Sequence, residues 1–258
     1  MPNEQPDITL VTVPCLSDNY AFLVHNDATG QTALIDAPEA QPIKDALHAR
    51  GWTLTDILIT HHHGDHIDAV AALRDGARVI GAAVDAHRLP PLDLEVAAGD
   101  VIDICGLPTH VLDVSGHTVG HIAYHMPNAK LAFTADSLMA LGCGRLFEGT
   151  PAKMWVSMKK LRALPADTMI CSGHEYTENN ARFALSLDPA NAALISRSEG
   201  IKAARAAGRP TVPSTLDEEM RTNPFLRADD PTLKAVLRMA DASDADVFAE
   251  IRARKDKF

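Results

Sequence analysis

The sequence contains no apolar run approaching the ~18–20 residues that a membrane-spanning helix requires, so no helical membrane anchor is expected. No secretory leader is expected either, because residues 1–7 are polar and carry acids. Cysteine is sparse. Cys15, Cys105, Cys143 and Cys171 stand far apart and form no CxxC pair. In a chain this long, that usage suits a reducing, cytoplasmic setting better than a disulfide framework. Positive charge is short as well, with 24 Lys and Arg against 34 Asp and Glu and a net charge of −10. Such a field repels phosphate backbones, which argues against a nucleic-acid partner, while a local basic patch can still hold a small anion. There is no fixed-period repeat and no low-complexity tract.

What is present fits a globular enzyme. The 258 residues allow one large domain, or one with a small appendix, and 46% hydrophobic with 22% charged residues is ordinary for a soluble globule. Histidine is the outlier. There are 12, and four of them, His61, His62, His63 and His66, fall within six positions. Composition alone therefore points to metal chemistry.

The apolar pattern predicts strands at 8–13, 20–25 and 32–36, a helix at 41–50 stopped by Gly51, and a buried strand at 56–59. A helix is expected over 67–74 and a strand at 78–81. Further strands are expected at 101–105, 109–114, 122–125, 131–134 and 168–171, with a helix at 152–164. From Thr177 onward the texture turns helical, with helices expected at 190–207, 215–222, 231–239 and 244–255 and prolines between them. Ser243 is placed to cap the last one. The expected organisation is a mixed α/β domain at 1–175 and a small all-helical domain at 176–258.

The segment Thr60-His61-His62-His63-Gly64-Asp65-His66 leaves a strand and enters a helix. Residues two apart at a strand exit point the same way, so His61 and His63 can share one ion while His62 faces away. Asp65 and His66 fall at the helix start, where a carboxylate is favoured. Gly64 is expected to ease the bend between the two pairs. Similar settings recur: Asp113-Val114 runs into Ser115-Gly116-His117, Ile170-Cys171 into Ser172-Gly173-His174, and Phe133-Thr134 into Ala135-Asp136. Ligands at several strand exits converge on one edge of a sheet, which suits two metals side by side. A terminal tag would lack both the aspartate and the strand-to-helix setting. The remaining histidines read as ordinary core or surface residues.

These motifs, THHHGDH, SGHTVGH, FTADSL and CSGHEY in this order, resemble the metallo-β-lactamase superfamily. VPCLSDNYAFLV, GCGRLFEGT, GHEYTENNARFA, NPFLR and the ending IRARKDKF are similar to its glyoxalase II (hydroxyacylglutathione hydrolase) branch, so the likeness covers essentially the whole chain. The resemblance implies an αββα sandwich with a helical C-terminal domain over the cleft. It implies two divalent ions, zinc above iron or manganese. His61, His63 and His117 would hold the first, Asp65, His66 and His174 the second, and Asp136 both. It further implies hydrolysis of S-2-hydroxyacylglutathione thioesters, S-D-lactoylglutathione giving D-lactate and glutathione, the second step of methylglyoxal detoxification. Arg145, Tyr176, Arg252 and Lys255 would meet the glutathione moiety, chiefly its glycine carboxylate. Phe147 stands where the family often has tyrosine, which keeps the ring and removes a hydroxyl worth ~0.5–1.5 kcal/mol.

The chemistry agrees with the residues. Two ions ~3.5–4 Å apart can bridge one water and bring its pKa to ~7. Asp65 can bind a metal through one oxygen and orient the nucleophile through the other, which makes it the catalytic candidate. A thiolate leaves readily, so no general acid is required. A single chain acting on a small molecule is expected, as a monomer. Alternatives on the same fold are a β-lactamase, a lactonase, a phosphodiesterase or a mononuclear glutathione persulfide dioxygenase. A non-catalytic zinc module would need four closed ligands and no bridging carboxylate.

Overall fold

The computed structural model describes residues 7–258, and the polar start at 1–6 lies outside the described residues. The chain divides into two compact units. The first runs to Asp113 and takes in Gly120–Thr134; the second comprises Val114–Val119 and Ala135–Phe258.

The first unit carries strands β1 (Ile8–Cys15), β2 (Asn19–Asn26) and β3 (Gln31–Ile35), helix α1 (Ala40–His48), β4 (Asp56–Leu58), the short helices α2 (Gly64–Ile67) and α3 (Val70–Leu73), and β5 (Arg78–Ala82). β6 (Leu94–Val96), β7 (Val101–Ile104), β8 (Leu107–Asp113), β9 (Ile122–Met126) and β10 (Leu131–Ala135) follow. One sheet has the order β1-β2-β3-β4-β5-β6. Its first three strands are antiparallel hairpins, and β3 to β6 run parallel. The change of direction follows the connections: α1 and then α2–α3 supply the crossovers that parallel neighbours need. β7 to β10 form an antiparallel meander in a second sheet.

β2 is buried along its whole length, so both faces of its sheet are covered. Alternation divides the work. Leu23, Leu34 and Ile57 point to one side, where Ile43 and Leu47 of α1 and Val70 and Leu73 of α3 pack on them. Phe22 points to the other, and its ring meets Phe133 of β10 at 5.8 Å. The hydroxyl of Tyr124 on β9 donates to the Ile59 carbonyl at 2.9 Å, tying the second sheet to the strand exit that carries the histidines.

The helix expected over 67–74 is instead broken after Ile67. The Ala69 amide donates to the Ala37 carbonyl at 2.9 Å and not back along a helix, so a tertiary hydrogen bond replaces the helical one. Two one-turn helices result.

The second unit begins with a two-stranded hairpin, β11 (Leu138–Met139) and β12 (Gly142–Cys143). Then come α4 (Pro151–Arg162), β13 (Met169–Ser172), α5 (Thr177–Leu187), α6 (Ala192–Ala206), β14 (Ser214–Thr215), α7 (Leu216–Thr222), α8 (Pro231–Leu237) and α9 (Asp244–Asp256). Caps fix several starts: Thr150 accepts from the Lys153 amide, Asn191 from Leu194, and Ser243 from Asp246 as expected. α5 falls in the stretch from Thr177 that is expected to be helical, where the sequence reading places no individual helix. Its first turn, Thr-Glu-Asn-Asn, is polar, and Ala181, Ala184 and Leu187 bury one face and secure the helix. Phe183, Phe225, Phe248 and Trp155 form an aromatic chain, with centroids 5.6–6.2 Å apart, joining α4, α5 and α9.

Candidate metal centre

In the first unit β4 ends and Thr60 to His63 run out of the sheet into α2. Asp36, just past β3, stands behind this segment. Its Oδ1 accepts from the Thr60 amide at 2.9 Å. Its Oδ2 accepts from the Thr60 hydroxyl at 2.8 Å and from His66 Nδ1 at 2.8 Å. The Thr60 hydroxyl has one proton, and the carboxylate takes it. The oxygen therefore accepts from His61 Nδ1, 3.1 Å away. Both rings thus carry their proton on Nδ1 and keep the Nε2 lone pair for a ligand, which is the tautomer a metal needs.

Nearby side chains hold the rest of this half. Asn19 donates to Asp65 Oδ2 at 3.0 Å and to the Asp65 carbonyl at 3.1 Å, fixing the carboxylate. His66 Nε2 lies 3.8 Å from Asp65 Oδ2. His61 with His63, His61 with His66, and Asp65 with His66 each offer ligand atoms within 4.8 Å of one another. His121 stacks on His61 with centroids 4.6 Å apart and planes 13° apart, and its Nδ1 donates to the Ile122 carbonyl. His62 turns aside, as expected, to Asp85 at 2.9 Å. Gly64 does not make a left-handed bend. It is the first residue of α2, and a Cβ there would lie 3.0 Å from the Asp68 carboxylate, so close approach is what its position requires.

The second unit brings His117, Asp136 and His174 together. His117 Nδ1 donates to the Arg145 carbonyl at 2.7 Å, which again leaves the lone pair on Nε2, where it could serve an ion. That Nε2 faces Asp136 Oδ2 at 3.5 Å, and His174 Nε2 faces Asp136 Oδ1 at 3.3 Å. Two atoms each ~2.0–2.2 Å from one ion at a tetrahedral angle sit ~3.3–3.6 Å apart, so these are ligand spacings. One carboxylate presents a different oxygen to each histidine. Gly144 is required here, because a Cβ would come within 2.0 Å of the Asp136 carbonyl oxygen and 2.9 Å of His117 Nδ1.

The expected substrate-binding residues fall into two groups. Phe147 is 61% exposed and Tyr176 40%. The first sets its ring edge-on to His117 at 5.3 Å, and the second stacks on His174 at 4.7 Å. Arg145, two residues before Phe147, is exposed as well. Arg252, by contrast, is buried: it donates to the Cys143 carbonyl at 2.9 Å and sits 5.2 Å from the Phe225 ring. Lys255 is half-buried, with its ammonium 5.2 and 5.3 Å from the rings of Phe183 and Phe258. Burial, together with Arg252 and Arg182, pulls its pKa down to about 8.

Asp36 and Asn19 were missed from sequence, while His121, which flanks a strand, was read as at most a support for the ligands. Asp36 had a signal, since it is an aspartate at the exit of an apolar strand, the same setting as Asp136. Asn19 and His121 act only through contacts made across the fold.

Residues 16–174 match the family model described as the metallo-β-lactamase superfamily, and residues 175–258 match that of the hydroxyacylglutathione hydrolase C-terminus. A hydroxyacylglutathione hydrolase of Ruegeria pomeroyi is 65% identical over 97% of this chain and 99% of its own length. One of Cereibacter sphaeroides is 66% identical over the same shares. Among solved structures, ETHE1 from Myxococcus xanthus superposes with a TM-score of 0.66 at 26% identity, covering 95% of this chain and 89% of that one. The di-iron-bound form of TTHA1623 gives 0.59 at 26% identity, over 84% of this chain and 99% of that one.

Proposed function

This chain belongs to the hydroxyacylglutathione hydrolase family of the metallo-β-lactamase superfamily, and from that we propose that it hydrolyses S-2-hydroxyacylglutathione thioesters, S-D-lactoylglutathione first among them. The observation that carries the reading is the donor set. His61, His66 and His117 each commit Nδ1 to a hydrogen bond that fixes Nε2 as the ligand, and Asp136 turns one oxygen to His117 and the other to His174. Side chains prepared in this way fit two divalent ions. His61, His63 and His117 would hold one, Asp65, His66 and His174 the other, and Asp136 would bridge. Imidazole and carboxylate ligands accept zinc, iron or manganese, with zinc the reading preferred here.

When bound, the ions supply Lewis acidity, polarising a thioester carbonyl and lowering the pKa of a water molecule into the neutral range. The protein does the rest. Asp65, held by Asn19, orients the attacking water and accepts its proton. Phe147 and Tyr176 flank the second unit's ligands and offer apolar faces to the acyl-thioester end. Arg145, Lys255 and the Tyr176 hydroxyl hold the glutathione moiety, while Arg252, buried against the Cys143 carbonyl and Asp256, anchors the helix that carries Lys255. The helices from 176 onward serve as its substrate-binding domain. The departing thiolate needs no proton, which matches a site with no general acid assigned.

All seven ligands come from one chain, so a monomer suffices. A cytoplasmic location is supported by four buried free thiols. Burial raises Cys15 to about 11, Cys105 to about 12 and Cys143 to about 11, so they stay unreactive. No helix among the described residues is long and apolar enough to cross a membrane. The lactamase, lactonase, phosphodiesterase and dioxygenase readings are not favoured, because the match to hydroxyacylglutathione hydrolases runs the length of the chain.

The test is a side-by-side assay of S-D-lactoylglutathione, a lactone, a phosphodiester and a β-lactam, with glutathione persulfide oxidation measured by oxygen uptake. Thioester turnover should exceed the others by orders of magnitude. Preferential turnover of any other substrate would overturn the proposal.

A further inference from the structure

We infer that Asp256 is an internal competitor for the carboxylate of the substrate, holding Arg145 back until a glutathione carboxylate displaces it. This rests on the reading in which Arg145 meets that carboxylate. Asp256 is the last residue of α9, and its Oδ1 collects three guanidinium nitrogens. Arg252 Nε lies at 3.1 Å, Arg252 Nη2 at 2.8 Å and Arg145 Nε at 3.6 Å.

The two arginines differ in freedom. The Arg252 side chain is 8% exposed, and its other terminal nitrogen is spent on the Cys143 carbonyl. It cannot leave without unmaking a buried hydrogen bond. The Arg145 side chain is 62% exposed, and its ion pair with Asp256, longer than a hydrogen bond, is its one polar side-chain contact among the described residues. Asp256 is thus a carboxylate held between a fixed cation and a movable one.

Its position also runs against helix electrostatics. The last turn of a helix favours cations, and α9 places Arg254 and Lys255 there. An aspartate at the same end works against the dipole, and its i,i+4 pair with Arg252 offsets that cost within the helix. To Arg145 it offers what a glycine carboxylate offers, an acceptor-only anion matched to a guanidinium. In an otherwise acidic protein, it also cancels part of the local positive charge that would attract any anion. A ligand must bring its own carboxylate to win Arg145. Asp256 therefore lowers affinity for a substrate that brings a carboxylate and leaves thioesters without that group unaffected.

The experiment compares Asp256→Asn, Asp256→Glu and Arg145→Ala. Each is assayed with S-D-lactoylglutathione and with the same thioester carrying an amidated glycine carboxylate. Asp256→Asn should lower KM for the acid about two- to fivefold at low ionic strength, the range of an exposed ion pair, and the gain should fade with salt. kcat should move by less than that factor. KM for the amide should not fall, and Asp256→Glu should behave as wild type. Arg145→Ala should raise KM for the acid. If Arg145→Ala raises KM while Asp256→Asn leaves it unchanged or raises it, Asp256 is a scaffold and the competitor role is refuted, with the substrate reading intact. If Arg145→Ala leaves KM for the acid untouched, Arg145 does not meet the carboxylate, and the competitor role falls with that reading.

Discussion

Replacing Asp36 by asparagine probes whether the ligand tautomers are set from behind. The carboxylate accepts three hydrogen bonds at 2.8–2.9 Å, from the Thr60 amide, the Thr60 hydroxyl and His66 Nδ1. An asparagine offers one accepting oxygen and one NH2 group. With the NH2 at the Oδ1 position, it confronts the Thr60 amide, donor against donor. With the NH2 at Oδ2, it confronts the hydroxyl and the His66 ring. The hydroxyl can rotate, but its proton then points at His61 Nδ1. His66 can accept only by moving its proton to Nε2. Both rings would then present N–H where a ligand lone pair is needed. Losing an outer contact of this kind costs ~10–100-fold in metal affinity. We expect the upper end, ~2.7 kcal/mol at 1.36 kcal/mol per tenfold, because two ligands are affected together. A mismatched buried donor should also cost the metal-free protein about 1–3 kcal/mol. Zinc affinity measured by competition with a chromophoric chelator, beside urea unfolding of the metal-free variant, reads both effects. A folded Asp36→Asn protein with zinc affinity within about twofold of wild type would refute the reasoning.

Three further outcomes are expected. Asp136→Ala should lower bound metal and turnover together, since its two oxygens face different histidines; full metal content by elemental analysis with near-normal turnover would exclude a bridging role. Gly144→Ala should displace the β12 hairpin end from His117 and Asp136 and cost about 1–3 kcal/mol in unfolding experiments, because the atoms it meets include backbone that cannot swing away. Lys255 has a folded pKa of about 8 against an ordinary 10.5, so between those values the unfolded chain binds the extra proton and stability rises with pH. Over the same window the ammonium proposed to meet the substrate is lost. KM for the thioester should therefore climb above pH 8, and Lys255→Arg should remove that rise; a flat wild-type KM through this range would count against Lys255 as a carboxylate contact.

Much of the fold was legible because hydrophobic alternation marks strands buried on at least one face. The eight residues of β2 and the runs at β3, β9 and β10 are of this kind. Tertiary hydrogen bonds are not written in periodicity, so the break at Ala69 was not foreseen. α5 was not placed individually for a related reason: its polar first turn is stabilised by what the next turns bury. The two-residue strands β11, β12 and β14 carry too few positions to show a pattern. At the site, the candidate ligands are marked in the sequence by residue type at strand exits. The groups that set their tautomers are not, because a threonine hydroxyl or an asparagine amide becomes informative only when its partner is known. The last helix shows a further limit. Spacing placed Arg252 and Lys255 on one face, but the contacts send one into the Cys143 carbonyl and leave the other over two aromatic rings.

Whether the chain is a two-metal thioester hydrolase is tested by adding zinc in steps to metal-free protein while following S-D-lactoylglutathione hydrolysis. Activity should rise until two equivalents per chain are bound and then level off. Full activity at one equivalent, or no thioester hydrolysis with both sites filled, would contradict this reading.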